Sequence, residues 1–162
     1  MTPAEISQAA QALFEAEKSQ KQIGLLTRAH PEMTMDDAYA VQKALVALKI
    51  ADGRRVIGWK IGLTSKAMQY ALNIDIPDSG ILFDDMQFED GATVPAGRFI
   101  QPRIEAEIAF VMKADLGGAA RRDEVLAATD YVCPSLEILD TRIERIAVLI
   151  CAGWVGRLLR MV

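Results

Sequence analysis

Apolar residues recur at three- and four-residue spacing through Ile6, Ala9, Ala10, Leu13 and Phe14, set among Gln, Glu and Lys, and this pattern predicts an amphipathic helix from Ala4 to about Ile23. A second helix is predicted to begin at Thr34, where Thr34 and Asp37 form a capping-box pattern. It runs through Ala38, Val41, Leu45 and Leu48 until Asp52-Gly53 stops it. Together these make an N-terminal helical layer over residues 1–53. After Gly53 the period shortens. Val56, Ile57, Trp59 and Ile61 adjoin or alternate with glycines, as in a short buried strand ending at Gly62.

Beyond that strand, Thr64 or Ser65 can cap a short helix through Met68 and Leu72. Pro77-Asp78-Ser79-Gly80 reads as turn chemistry before an apolar step at Ile81-Leu82-Phe83. Residues 84–97 read as turns and short strands. The clearest strands are Ile104–Met112 and Ser135–Asp140, separated by a helical stretch from about Arg122 to Thr129. The resulting organisation is α+β: helices at 1–53, a β-rich segment at 54–145, and an apolar tail at 146–162. No internal repeat or low-complexity linker interrupts it.

Composition narrows the functional classes. The chain has 162 residues, 51% of them hydrophobic, and a formal net charge of -4. Lys and Arg are spread along it, so it presents no cationic footprint for nucleic acid or anionic lipid, and small molecules are the expected partners. The two cysteines, Cys133 and Cys151, each lie in an apolar run, and no basic-then-apolar leader opens the chain; both features fit a reducing cytoplasm. The apolar run from Ile146 to Gly156 is too short to span a bilayer, which needs about 20 residues. No membrane role is expected.

Candidate chemistry concentrates in acidic residues. In Ile104-Glu105-Ala106-Glu107-Ile108, a period of two puts Ile104, Ala106 and Ile108 on one face and both glutamates on the other. Glutamates two apart on a strand have Cα atoms roughly 6.6 to 7 Å apart, within reach of one shared ion. An isolated E-x-E most often marks only the wet face of a half-buried strand. Here the same face continues through Ala109 and Val111, and two like charges beside apolar surface repel unless a cation compensates them. Glu137 lies alone in the otherwise core-like run Cys133-Pro134-Ser135-Leu136-Glu137-Ile138-Leu139, and a buried carboxylate needs a partner. Hard divalent cations such as magnesium take oxygen ligands of this kind and keep waters that a substrate can replace.

Lys60 is a lone cation within Gly58-Trp59-Lys60-Ile61-Gly62. It either snorkels to the surface or, with its pKa lowered by partial burial, moves protons. Asp78 lies in a good turn sequence, where an aspartate commonly bonds to its own backbone, and is the weaker candidate on its own. His30, before Pro31, reads as a surface loop residue.

Taken together, Gly58-Trp59-Lys60-Ile61-Gly62-Leu63-Thr64-Ser65-Lys66-Ala67-Met68, Pro77-Asp78-Ser79-Gly80, Pro102-Arg103-Ile104-Glu105-Ala106-Glu107-Ile108-Ala109-Phe110, Ala128-Thr129-Asp130-Tyr131 and Leu136-Glu137 resemble the hydratase and decarboxylase family of the fumarylacetoacetate hydrolase superfamily. The resemblance is collinear from about residue 4 to Arg145. It implies N-terminal helices followed by part of a mostly β fumarylacetoacetate-hydrolase-like fold, and a magnesium or manganese ion on Glu105, Glu107 and Glu137. The metal would bind the carboxylate and 2-oxo group of a 2-oxo acid substrate. Lys60 would be the acid/base, Asp78 its assistant, and the reaction hydration of a 2-oxo-alkenoate diacid from aromatic catabolism in a cytoplasmic homo-oligomer. A wider-superfamily hydrolase would want a histidine base, and His30 lies outside every motif.

The family's chains continue further, so the fold is expected to be incomplete, and the segment after Glu144-Arg145 resembles nothing in the family. Three alternatives therefore remain open: the hydratase, a 2-oxo acid decarboxylase of the same family, and a non-catalytic truncated fragment.

Overall fold

The computed structural model describes residues 1–73 and 75–144. The chain divides into two units, Met1–Gln101 joined by the described residues from Asp140, and Pro102–Leu139. Helices and two small two-stranded sheets make it α+β, as the alternation of periods predicts.

In the first unit, helix α1 (Pro3–Ser19) starts where Thr2 and Glu5 exchange hydrogen bonds: the Thr2 amide donates to Glu5 Oε2 at 2.7 Å and the Glu5 amide to Thr2 Oγ1 at 3.3 Å. Such a box satisfies amides that the helix itself leaves orphaned. The helix stops short of the expected Ile23 because Gln20 turns left-handed at φ 55°. Ile23 instead forms a parallel bridge with Ile143, its amide donating to the Arg142 carbonyl at 2.9 Å and its carbonyl accepting from the Glu144 amide at 2.8 Å. A short helix α2 (Leu26–Ala29) leads to α3 (Met35–Ala51), whose cap is the predicted Thr34–Asp37 pair. Ala9, Ala10, Leu13 and Phe14 of α1 meet Ala38, Val41 and Leu45 of α3, and Leu26, Met33 and Ile143 close the cluster.

A buried ion cluster accompanies this core. Glu17 Oε2 lies 2.9 Å from Lys49 Nζ and 3.0 Å from Arg142 Nε, and Glu17 Oε1 lies 2.6 Å from Arg54 Nη1. Burial by itself would raise the Glu17 carboxyl, but Arg142, Lys49 and Arg54 outweigh it and hold it at about 2. The Lys49 ammonium, fully buried and beside Arg142, is pushed down to about 8. The two shifts agree physically: one carboxylate shared by three cations is over-compensated, while each cation is under-compensated.

Strand β1 (Val56–Gly62) pairs antiparallel with β2 (Asp78–Phe83), with helix α4 (Lys66–Leu72) between them. The expected turn at Pro77-Asp78-Ser79-Gly80 is corrected here. Asp78, Ser79 and Gly80 are strand, in register with Gly62, Ile61 and Lys60, because β1 offers them a ladder that their local turn propensity does not foresee.

The second unit is a hairpin of β3 (Arg103–Met112) and β4 (Thr129–Leu139), with α5 (Arg122–Ala128) in the connection. Strand β4 starts earlier than expected and runs through Pro134, which faces Ile108. A proline is tolerated there because each strand of a two-stranded sheet has a free edge. The hairpin's apolar face is also its open face: Ile104, Ile108 and Leu136 are 67%, 69% and 70% exposed, while Glu107 and Glu137 are half-buried. The wet-face explanation thus holds for the exposed Glu105 and fails for the half-buried Glu107. The expected tail at 146–162 lies outside the described residues. Among the described residues no helix is long and apolar enough to cross a membrane.

Candidate metal centre

Strand register decides which acidic groups meet. Glu105 and Glu137 are direct partners across β3 and β4, and Glu107 is opposite Ser135, so period two on each strand puts all four side chains on one face. One carboxylate oxygen each from Glu105, Glu107 and Glu137 lies within 4.8 Å of the others. Like charges directly opposed on a sheet destabilise it unless something neutral or cationic intervenes. An octahedral magnesium site, with ligands at about 2.1 Å, spreads its trans oxygens over roughly 4.2 Å. Three carboxylate oxygens gathered within 4.8 Å of one another are of the scale that one shared ion spans. The donor set is all oxygen, carries three negative charges and includes one exposed member, Glu105, which fits a hard cation that keeps water or substrate as further ligands.

Lys60 and Asp78 belong to the other sheet. Lys60 pairs with Gly80 and Asp78 with Gly62, so the two side chains are diagonal neighbours on one face. The remaining positions of that face are Gly58, Gly62, Gly80 and Leu82, which leaves bare backbone beside the lysine. Asp78 is 5% exposed and Lys60 is half-buried, whereas Trp59 and Ile61 on the opposite face are open to solvent. His30 follows α2 and lies 3.8 Å from Glu5, in keeping with a peripheral role.

Sequence reasoning singled out Glu137 without being able to place it beside Glu105; the antiparallel register does that. It passed over Ser135, which period two from Glu137 puts on the same face. It also passed over Asp140, whose carboxylate accepts the backbone amides of Ile100 and Gln101. No local pattern foretells that contact, since the partners are 40 and 39 residues apart.

The chain is 52% identical over 138 residues to 2-oxo-hept-4-ene-1,7-dioate hydratase of Escherichia coli, covering 85% of this chain and 52% of that protein. It is 49% identical over 144 residues to 2-keto-4-pentenoate hydratase of Paraburkholderia xenovorans, covering 88% and 54%. The chain is homologous to these 2-oxo acid hydratases. Among solved structures, 4-oxalocrotonate decarboxylase from Pseudomonas putida G7, complexed with magnesium and adipate, matches with a TM-score of 0.86 and 35% identity over 99% of this chain and 61% of that one. A second structure of that decarboxylase, complexed with calcium and acetate, matches equally well in TM-score, at 0.86. The chain spans about half the length of the curated relatives it matches. No protein-family model matches it.

Proposed function

We propose that this chain carries the divalent-metal site of a hydratase that adds water to a 2-oxo-alkenoate diacid of the 2-oxo-heptenedioate class, within a fumarylacetoacetate-hydrolase-like fold. The observation that carries this reading is the convergence of Glu105, Glu107 and Glu137 within 4.8 Å on one face of a strand pair. Magnesium or manganese is the expected ion, supported by the oxygen-only donor set and by the magnesium found in the matching decarboxylase structure. When bound, such an ion supplies a Lewis acid for the carboxylate and keto oxygens of a 2-oxo acid.

The remaining chemistry falls to the chain's own side chains. Lys60 Nζ is assigned the proton transfer that accompanies movement of the double bond, and the glycine-lined face around it leaves room for a flat substrate. Asp78, buried and diagonal to Lys60, is assigned to hold the lysine or a water in line. Water then adds at the conjugate carbon. A homo-oligomer in the cytoplasm is the expected setting. The runner-up is decarboxylation of a related 2-oxo acid, favoured by the match to 4-oxalocrotonate decarboxylase.

Calorimetric titration with Mn2+ and Mg2+, with and without oxalate, on the chain and on Glu107→Ala tests the site. Binding that tightens with oxalate and disappears in Glu107→Ala is expected; a folded chain that binds neither ion removes the reading. Presenting a 2-oxo-alkenoate diacid and following carbon dioxide release against loss of the conjugated chromophore separates hydration from decarboxylation.

A further inference from the structure

We propose that Asp140 is a positioning residue for the carboxylate trio, clasping the two ends of the β3–β4 hairpin and setting the register that puts Glu105 opposite Glu137. The proposal rests on the metal reading above for its consequence, though its structural part stands without it. Asp140 follows directly on β4, and its Oδ1 accepts from the Ile100 amide at 3.0 Å and the Gln101 amide at 2.8 Å, with Oδ2 also 3.1 Å from the Ile100 amide. Those amides belong to the stretch that leads into β3. One carboxylate side chain therefore ties the segment that leaves the hairpin to the segment that enters it.

The segment carrying Asp140 is itself fixed. Gln22 Nε2 donates to the Thr141 carbonyl at 2.9 Å, Arg142 Nε reaches Glu17 Oε2 at 3.0 Å, and Ile143 bridges Ile23. Asp140 thus projects from an anchored segment and holds the chain entering β3.

The far end of the hairpin is held by the Lys113 amide donating to the Ala128 carbonyl at 2.8 Å, and Asp140 supplies the matching hold at the other end. A two-stranded sheet is marginal on its own. In most hairpins a two-residue turn sets the register, but here the strands are joined through residues 113–128, which include α5. The pairing shifts between Val111 and Met112, and Pro134 contributes no amide opposite Ile108. A slip of one residue sends a strand's glutamates to the opposite face, and a slip of two puts Glu105 opposite Ser135 or Leu139. The one-residue slip and the slip that brings Ser135 opposite Glu105 disperse the three carboxylates, whereas the slip that brings Leu139 there puts Glu107 opposite Glu137 in place of Glu105. Arg103–Leu139, the pair next to Asp140, is where the register is set, and Glu105–Glu137 is the next pair on that face.

The test compares the unaltered chain with Asp140→Ala, Asp140→Asn and, as a control for general destabilisation, Leu45→Ala. Two readouts are followed: amide hydrogen exchange along β3 and β4, and Mn2+ affinity by calorimetry. Asp140→Ala is expected to speed exchange along Arg103–Glu107 and Leu136–Leu139 and to weaken Mn2+ binding by about tenfold or more, the usual range for groups that orient metal ligands. Asp140→Asn, which keeps one oxygen able to accept both amides, is expected to recover part of each effect. Leu45→Ala is expected to lower overall stability and leave Mn2+ affinity of the folded protein unchanged. A folded Asp140→Ala chain with unaltered exchange along the hairpin and unaltered Mn2+ affinity overturns the proposal. If the unaltered chain binds no Mn2+, the metal reading fails and the exchange readout alone decides the role of Asp140. If Asp140→Ala does not fold, Asp140→Asn is judged on the same readouts, and unchanged values in it overturn the proposal.

Discussion

The helical layer and the β3–β4 hairpin bury their apolar residues to opposite degrees. In the first, α1 and α3 enclose Ala10, Leu13, Ala38, Val41 and Leu45 almost completely. In Pro102–Leu139, Ala128 is the only hydrophobic residue among the described ones that is buried, while Ile104, Ile108, Phe110, Val132 and Leu136 are open. The region that holds the candidate chemistry is thus the one with the least core of its own. Its order has to come from its ladder, from its clasp at Asp140 and from whatever binds the carboxylates. Exposed apolar faces of this kind invite partners.

The largest expected effect lies on the well-packed side. Glu17→Ala leaves Lys49, Arg54 and Arg142 buried without their shared anion and should cost about 3–5 kcal/mol in urea unfolding. Truncation of apolar residues should then divide the two regions cleanly. Leu45→Ala is expected to cost about 2–5 kcal/mol, whereas Phe110→Ala on the open face should change stability by no more than about 0.5 kcal/mol. Equal losses in the two variants would mean that the hairpin face is covered in solution.

Acid should act on the helical layer through Glu17. Its folded pKa of about 2 lies below the ordinary value of 4.5, so its contribution is fully present above pH 4.5 and is lost as pH falls through 2. Glu17→Gln should flatten that limb of a pH–stability profile. Lys49 works in the opposite pH range: the unfolded chain holds this proton more tightly, so stability should rise between about pH 8 and 10.5. On the hairpin side, Mn2+ at a hundred times its dissociation constant should stabilise the fold by about 2.7 kcal/mol, and Glu107→Ala should abolish the gain. Thr34→Ala, which removes the α3 cap, should cost about 1 kcal/mol in thermal unfolding, more than Phe110→Ala alone among these variants.

Much of this architecture was legible from periodicity. The α3 cap at Thr34–Asp37, the strand Val56–Gly62 and the strand through Glu105 and Glu107 follow from spacing alone, because each depends on residues within a few positions of one another, although Val56, Ile57, Trp59 and Ile61 are exposed and not buried as expected. The misses share one physical origin. Ile23 left its helix for a bridge to Ile143, Asp78 joined a ladder with Gly62, and Thr129 entered a strand opposite Met112. In each case a partner distant in sequence outweighed local preference.

The candidate site divides in the same way. Period two alone puts Glu105 and Glu107 on one face, since alternation is a property of the extended backbone. The chain's own residues also mark Glu137 and Lys60 as charges out of place in apolar runs. Whether Glu137 meets Glu105 was decided only by the antiparallel register of β3 and β4. Those contacts join residues dozens of positions apart, and local pattern carries no information about such pairings.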